Sequence, residues 1–130
     1  MPRTALIVED EIFVALDLER ILLDAGYNVA AIAADSETAL AAAPGCDVAF
    51  VDVNLRDGMT GPTLARRIAC EHGIKVVFVT ANPGQIGDDP LALGYVRKPF
   101  SEPAILAAAK VASGEAVVAS PDFVPLRARA

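Results

Sequence analysis

Short apolar runs alternate with amphipathic stretches along the chain. The apolar runs predict strands at residues 4–8, 28–33, 46–53, 75–80 and 94–98. The stretches between them have helical spacing, and this alternation is typical of repeated βα units on a parallel sheet. The pattern therefore predicts an α/β fold.

The intervening stretches also carry signals for helix ends. The first predicted helix places five apolar residues on one face: Val14, Leu18, Ile21, Leu22 and Ala25. Gly26 is expected to end this helix. Asp35 or Ser36 is expected to cap a short second helix, Pro62 fits the first turn of a third, and Ser101 is expected to cap a last helix that runs to about residue 113.

Two regions interrupt the alternation. Residues 81–94 contain two prolines and three glycines, so we expect one helical turn there at most. The tail at 115–130 is too short for a second domain, and we expect either a loosely attached end or a segment that docks on a partner or a second copy. This division predicts one domain over residues 1–114 and a C-terminal tail.

Composition narrows the class of protein. A chain of 130 residues with 54% hydrophobic and 22% charged residues suits one domain with its own core. A net charge of −6 and the lack of a basic stripe argue against nucleic acid as a partner. No apolar run has membrane-spanning length, so we expect a cytoplasmic protein. Cys46 and Cys70 lack partners at metal-ligand spacing, and both are interpreted as small core residues.

Candidate chemistry lies at the carboxyl ends of the predicted strands. Glu9 and Asp10 follow the first strand, Asp52 interrupts the third, Thr80 ends the fourth and Lys98 ends the fifth. In an open parallel sheet, ligands bind outside these strand ends, near the point where the strand order reverses. The sequence therefore predicts that acids, a hydroxyl and an ammonium meet at one edge of the sheet.

Acids gathered in this way need a cation. Two carboxylates about 5 Å apart repel each other by roughly 3 kcal/mol at an effective dielectric constant of about 20. An all-oxygen site suits Mg²⁺, which accepts phosphate as a co-ligand, and Lys98 favours the ionised form of Asp52. A carboxylate nucleophile beside a metal, an ammonium and a hydroxyl is suited to accepting a phosphoryl group.

With these features the sequence resembles the receiver domains of two-component response regulators. The resemblance rests on VEDE after the first strand, VDVNL around the acceptor, VT at the end of the fourth strand and GYVRKPF across the fifth. It covers residues 3–113. It implies a flavodoxin-like, doubly wound sheet of five parallel strands in the order 2-1-3-4-5, with a shortened or irregular fourth helix.

The resemblance also implies residue roles. Asp52 matches the phosphorylation site, and the metal ligands would be Glu9, Asp10, Asp52 and the backbone carbonyl of Asn54. Thr80 and Lys98 match the switch hydroxyl and the lysine that pairs with the phosphoryl group, and together with Asp52 they form the expected catalytic set. Tyr95 matches an aromatic residue that turns inward when Thr80 moves. The Lys98–Pro99 peptide bond is a candidate for the cis form.

Three positions depart from the family pattern. Arg56 stands where receivers usually have a proline four residues after the acceptor, and Glu9 stands where aspartate is commoner. The segment 81–94 is shortened at the expense of the fourth helix, which normally forms part of the output face. Some stand-alone receivers paired with histidine kinases of the HWE type also have an altered segment here.

These expectations define a function and its alternatives. We expect a single-domain, Mg²⁺-dependent response regulator, not an enzyme, that is phosphorylated by a sensor histidine kinase or a histidine phosphotransfer protein. It would signal through protein contacts as a monomer or weak homodimer, without nucleic acid or membrane partners. One alternative is a phosphorylation-independent binding module with the same fold. Another is a metal-dependent phosphatase, although Asn54 stands where such enzymes usually place a second acid.

Each site residue also has a purely structural interpretation. Asp52 could cap the next loop, and the acidic pair Glu9–Asp10 could favour the dipole of the following helix. Thr80 could be an ordinary β-branched strand residue, and Lys98 a solvated surface lysine. Tyr95 could be a static aromatic side chain.

Overall fold

The computed structural model describes residues 3–87, 91–115 and 123–125. Within them, six strands and four helices alternate along most of the chain. The strands are β1 (Thr4–Val8), β2 (Asn28–Ala33), β3 (Val48–Val51), β4 (Lys75–Thr80), β5 (Ala92–Arg97) and β6 (Phe123–Pro125). The helices are α1 (Ile12–Asp24), α2 (Ser36–Ala42), α3 (Gly61–His72) and α4 (Glu102–Ala112).

The strands form one sheet in the order β2-β1-β3-β4-β5-β6. The pairs among β1 to β5 are parallel, so the predicted order 2-1-3-4-5 is confirmed. A sixth strand, which the sequence analysis did not predict, pairs antiparallel with β5. The sheet is therefore mostly parallel, with one antiparallel strand at its edge.

The two faces of the sheet bury separate clusters of side chains. In β1, Leu6 and Val8 belong to a first cluster beneath α2 and α3, whereas Ala5 and Ile7 belong to a second cluster beneath α1 and α4. β3 and β4 alternate in the same way, because successive side chains of a strand point to opposite faces. Helices on both faces explain why these strands read as continuous apolar runs.

Helix ends follow the predicted signals. The Asp35 side chain accepts a hydrogen bond from the Thr38 backbone N–H at 2.9 Å, and the Ser101 hydroxyl accepts one from the Ala104 N–H at 3.3 Å. Gly73, at the C-cap of α3, has a φ of 67°, which favours glycine. Ala25 was predicted to lie on the buried face of α1, but it is exposed at the C-cap of that helix.

The irregular segment and the tail depart from the βα rhythm. A 3₁₀ turn at Pro83–Gln85 replaces a full helix, as the sequence predicts, and residues 88–90 lie outside the described part of the chain. In the tail, Phe123–Pro125 forms β6, and the rest of 116–130 lies outside the described residues. Strand β3 is shorter than predicted, and β5 begins two residues earlier. Cys46 is buried but Cys70 is exposed, so the core assignment of Cys70 is wrong.

Candidate functional site

The backbone brings two acidic strand ends side by side. β1 and β3 are neighbours, with Val8 aligned to Val51, and the Asp52 N–H donates to the Val8 carbonyl at 2.9 Å. Glu9 therefore leaves β1 next to Asp52 at the carboxyl edge of the sheet. Both residues are buried, with 2% of Glu9 and 6% of Asp52 exposed.

Lys98 reaches this pair from the end of β5, which β4 separates from β3. Its backbone N–H donates to the Thr80 carbonyl at 3.0 Å, which fixes the chain just after β5. Its Nζ lies 2.7 Å from Glu9 Oε1 and 2.9 Å from Asp52 Oδ2, and 3.2 Å from Glu11 Oε1 at the surface. One ammonium thus contacts three carboxylates.

Burial and charge act in opposite directions on this cluster. Burial raises the pKa of Glu9 to about 7, with the Asp52 charge adding to the effect and the Lys98 ammonium opposing it. Burial alone would lower the pKa of Lys98, but its contacts with Glu9 and Asp52 outweigh that effect and raise it. Lys98 is therefore held in its charged form, while the protonation of Glu9 is finely balanced.

The acids at this edge can gather around one cation. Ligand oxygens of four acids lie within 4.8 Å of one another: Glu9, Asp10, Glu11 and Asp52. When all four acids are ionised, the single positive charge of Lys98 leaves three negative charges of the cluster uncompensated. Glu9 Oε1 is also buried without a hydrogen bond of suitable geometry among the described residues, although it lies close to the Lys98 ammonium. The donor set and this buried oxygen fit a small divalent cation such as Mg²⁺.

An open cavity of about 210 Å³ lies above Asp52. It is lined by residues from four strand ends and their loops: Asp10, Glu11, Asp52, Asn54, Ala81, Asn82 and Lys98. The Asn54 side chain donates to Gln85 Oε1 at 2.9 Å, and this bond joins the loop after β3 to the 3₁₀ turn. The cavity is therefore polar, open to solvent and next to the buried carboxylate.

The two candidate switch residues occupy different positions. Thr80 is fully buried at the end of β4, and its Oγ1 accepts a hydrogen bond from the Asn82 N–H at 2.9 Å. Among the described residues, those lining the cavity include Ala81 but not Thr80. Tyr95 is half-buried, is aligned with Phe78 and packs against the first cluster. Their roles in switching remain predictions.

The departure at Arg56 has a structural reason. The Arg56 backbone N–H donates to the Ala34 carbonyl at 3.0 Å, a bond that proline could not make. The loop then turns through Gly58, which has a φ of 110° and bridges to Leu55. Arg56 thus ties the loop after Asp52 to the end of β2.

Sequence reasoning missed two polar residues of the cavity, Glu11 and Asn82. Glu11 continues the acidic run that begins at Glu9, so the run itself was the available signal. Asn82 follows β4 in a segment without periodicity, and nothing in the sequence marked it. The Lys98–Pro99 bond is cis, as the resemblance implies.

Comparison with known proteins identifies a family and several relatives of this chain. The family described as "Response regulator receiver domain" matches residues 5–110. The regulator PhyR of Methylorubrum extorquens is 32% identical over 77% of this chain, which spans only 39% of PhyR. The chemotaxis protein CheY of Treponema pallidum is 30% identical over 81% of this chain and 78% of its own length.

Solved structures show the same architecture. The receiver domain of the PhyR response regulator from Erythrobacter litoralis superposes with a TM-score of 0.77 at 27% identity, over 92% of this chain and 97% of that domain. In the described part of the chain, no helix has the length and apolar character needed to cross a membrane.

Proposed function

Because the chain belongs to the response regulator receiver domain family, we propose that it accepts a phosphoryl group on Asp52 in two-component signal transduction. Members of this family are signalling modules, and the donor would be a phosphohistidine on a sensor kinase or on a phosphotransfer protein. The response would pass to a further protein through surface contacts.

The observation that carries this proposal is the 2.9 Å contact between Lys98 Nζ and Asp52 Oδ2. The contact lies beside a cavity large enough for a phosphoryl group and within a cluster of acids. The ammonium favours the ionised carboxylate that must act as nucleophile, and it can balance negative charge on the incoming oxygens.

The transfer is a substitution at phosphorus. The Asp52 carboxylate forms a new O–P bond while the N–P bond of phosphohistidine breaks, and its electron pair returns to the imidazole ring. Glu9, Asp10, Asp52 and the Asn54 carbonyl would hold Mg²⁺, with Glu11 close by. The bound ion would supply positive charge for the phosphoryl oxygens. Lys98 would orient the acceptor through its hydrogen bond to Asp52 Oδ2.

The donor protein would dock on the apolar surface beside the cavity. Phe13, on α1, is 84% exposed, and Ile12 next to it is 55% exposed. A shallow groove of about 490 Å³ runs from Phe13 past Lys98 to Phe100. An amphipathic helix that presents its phosphohistidine near such a groove would bury apolar surface on docking. The exposed Phe13 side chain lines the same groove as Lys98, which contacts Asp52, and this supports that arrangement.

Response to phosphorylation would begin at Thr80 and Tyr95. Thr80 is the last residue of β4 and directly precedes Ala81, which lines the cavity, so a small shift of the chain there would bring the Thr80 hydroxyl to the phosphoryl group. Tyr95 lies half-buried on the neighbouring strand and would occupy space that Thr80 vacates.

Reaction with a small phosphodonor tests the proposal. The chain is incubated with acetyl phosphate and Mg²⁺, and the intact mass is measured. We expect one phosphoryl group per chain in the wild type and in Asp24→Asn, which changes an exposed acid on α1. We expect no phosphorylation in Asp52→Asn or in the presence of EDTA. Labelling that persists in Asp52→Asn would contradict the assignment of the acceptor.

The same experiment separates the competing function. A phosphorylation-independent binding module would keep the fold and remain unmodified. The 3₁₀ turn in place of a helix favours this alternative, because it alters a surface that a partner could recognise without phosphate. An unmodified wild type whose structure is also unchanged by beryllofluoride with Mg²⁺ would favour the module.

A further inference from the structure

The outer edge of β5 is covered by a strand that lies outside the residues matched by the family, 5–110. β6 pairs antiparallel with β5, and the register aligns Gly94 with Pro125, Tyr95 with Val124 and Val96 with Phe123. Ten residues, 113–122, separate it from the end of α4. The chain thus returns after α4 to cover an edge of its own sheet.

Phe123 anchors this strand. Only 6% of Phe123 is exposed, and it belongs to the second cluster together with Val96 of β5 and Ala108 of α4. Val124 and Pro125 are exposed. The contact therefore depends on one aromatic side chain that enters a gap between β5 and α4.

Gly94 provides the space for that side chain. A Cβ at this position would lie 2.8 and 2.9 Å from two ring atoms of Phe123 and would collide with the Val124 carbonyl oxygen. Glycine inside a strand weakens the strand, and it often marks a place where another backbone approaches closely. The glycine in β5 is thus matched to the strand that packs on it.

The attachment of β6 to β5 depends on opposing contributions. Burial of the Phe123 side chain favours attachment. Ordering the backbone of three residues opposes it, and the strand hydrogen bonds offset only part of that cost. Because the attachment depends on one buried side chain, a competing strand with the same anchor can displace it.

We infer that the edge of β5 is a binding site for an extended peptide strand with a phenylalanine anchor, which the chain fills with its own residues Phe123–Pro125. A partner segment of the same chemistry reaches this edge only when β6 leaves. Val124 of the bound strand is aligned with Tyr95 of β5. A strand bound at this site therefore lies next to the predicted switch residue. The C-terminal strand acts as an internal competitor for that partner.

A peptide added to the full chain tests this inference. The probe is a fluorescent peptide with the sequence of residues 120–128, SPDFVPLRA. Its binding is compared between the wild type and Phe123→Ala, in which the internal strand has lost its anchor. We expect at least about tenfold tighter binding to Phe123→Ala, because the fraction of molecules with an open edge rises. Val124→Ala, which changes an exposed side chain on the same strand, should bind the peptide as the wild type does.

The space beside Gly94 that receives the phenylalanine ring is tested by a second substitution. In the Phe123→Ala background, Gly94→Ala should abolish peptide binding, because the added methyl group occupies the place of the phenylalanine ring. A probe peptide with alanine in place of its phenylalanine should fail to bind any variant. Hydrogen exchange in β5 should be faster in Phe123→Ala than in Val124→Ala.

Three results would overturn the inference. The first is equal binding of the peptide to the wild type and to a folded Phe123→Ala chain, and the second is no binding to either. The third is binding that survives Gly94→Ala. If Phe123→Ala fails to fold, Phe123→Leu is used in the same comparison. Leucine keeps an apolar side chain but fills the space beside Gly94 incompletely.

Discussion

Lys98 Nζ donates a hydrogen bond to Asp52 Oδ2 at 2.9 Å across a sequence separation of 46 residues. The same ammonium contacts Glu9 Oε1 at 2.7 Å, so one cation neutralises part of the charge on two buried acids. A buried carboxylate without a partner is costly, and this relationship therefore makes it possible for the sheet to hold two acids at its edge.

Removing this ammonium should slow phosphorylation. In Lys98→Met, we expect the rate of Asp52 phosphorylation by acetyl phosphate to fall by about 100-fold, because one preorganised positive charge is lost from the proposed phosphoryl site. Initial rates from intact-mass measurements give the comparison. Lys75→Met serves as the control, since Lys75 is exposed at the opposite end of β4. A wild-type rate in Lys98→Met would refute this role.

The raised pKa of Glu9 predicts how stability depends on pH without metal. The ordinary pKa of a glutamate is about 4.5 and that of Glu9 is about 7, so between these values the folded state binds more protons than the unfolded state. The free energy of unfolding should therefore fall as the pH rises through this window. At about 1.4 kcal/mol for each pKa unit, the loss is on the order of 3 kcal/mol.

Urea unfolding in EDTA at about pH 5 and about pH 8 measures this loss. Glu9→Gln should remove most of it, because glutamine has no carboxyl group that binds a proton in this pH window. Added Mg²⁺ should stabilise the wild type more at the higher pH, since the cation competes with the proton for the same carboxylates. Equal pH dependence in wild type and Glu9→Gln would show that Glu9 is not the source.

The contribution of Arg56 to stability should come from its backbone N–H and not from its side chain. Arg56→Pro should destabilise the chain by about 1–3 kcal/mol, because the Ala34 carbonyl loses its donor. Arg56→Ala keeps the N–H and should change the stability by less than about 0.5 kcal/mol, since the side chain is exposed. Thermal or urea unfolding distinguishes the two. Equal effects of both substitutions would mean that the side chain, not the backbone bond, matters here.

The pattern of apolar residues was enough to predict the five parallel strands and the residues at their carboxyl ends. The carboxyl ends of β1, β3 and β5 could be located because each apolar run stops at an ionisable residue, so Glu9, Asp52 and Lys98 were found together. Residue Glu11 was overlooked because exposed acids at a helix start are common. Strand β6 could not be predicted, because three residues carry no periodicity and its formation depends on the tertiary fit between Phe123 and Gly94.

Gly61 supports Asp52, the proposed acceptor, through a close approach of backbones. It begins α3, and its N–H donates to the Val53 carbonyl at 3.0 Å. A Cβ there would collide with the Asp52 carbonyl oxygen and would lie 2.7 Å from Val53 Cα. These atoms belong to the backbone at Asp52 and Val53, so they cannot yield as a flexible side chain would. The start of α3 would have to move away from the strand end.

We therefore expect Gly61→Ala to destabilise the chain by about 1–3 kcal/mol or more, as overpacking does. Gly84→Ala is the matched control, because no atom lies within 4 Å of a Cβ at that position. Its effect should stay within about 0.5 kcal/mol. Urea unfolding measures both variants, and the phosphorylation rate of Gly61→Ala shows whether the shift reaches Asp52. If Gly61→Ala and Gly84→Ala unfold alike, the backbone at Asp52 is less rigid than this packing implies.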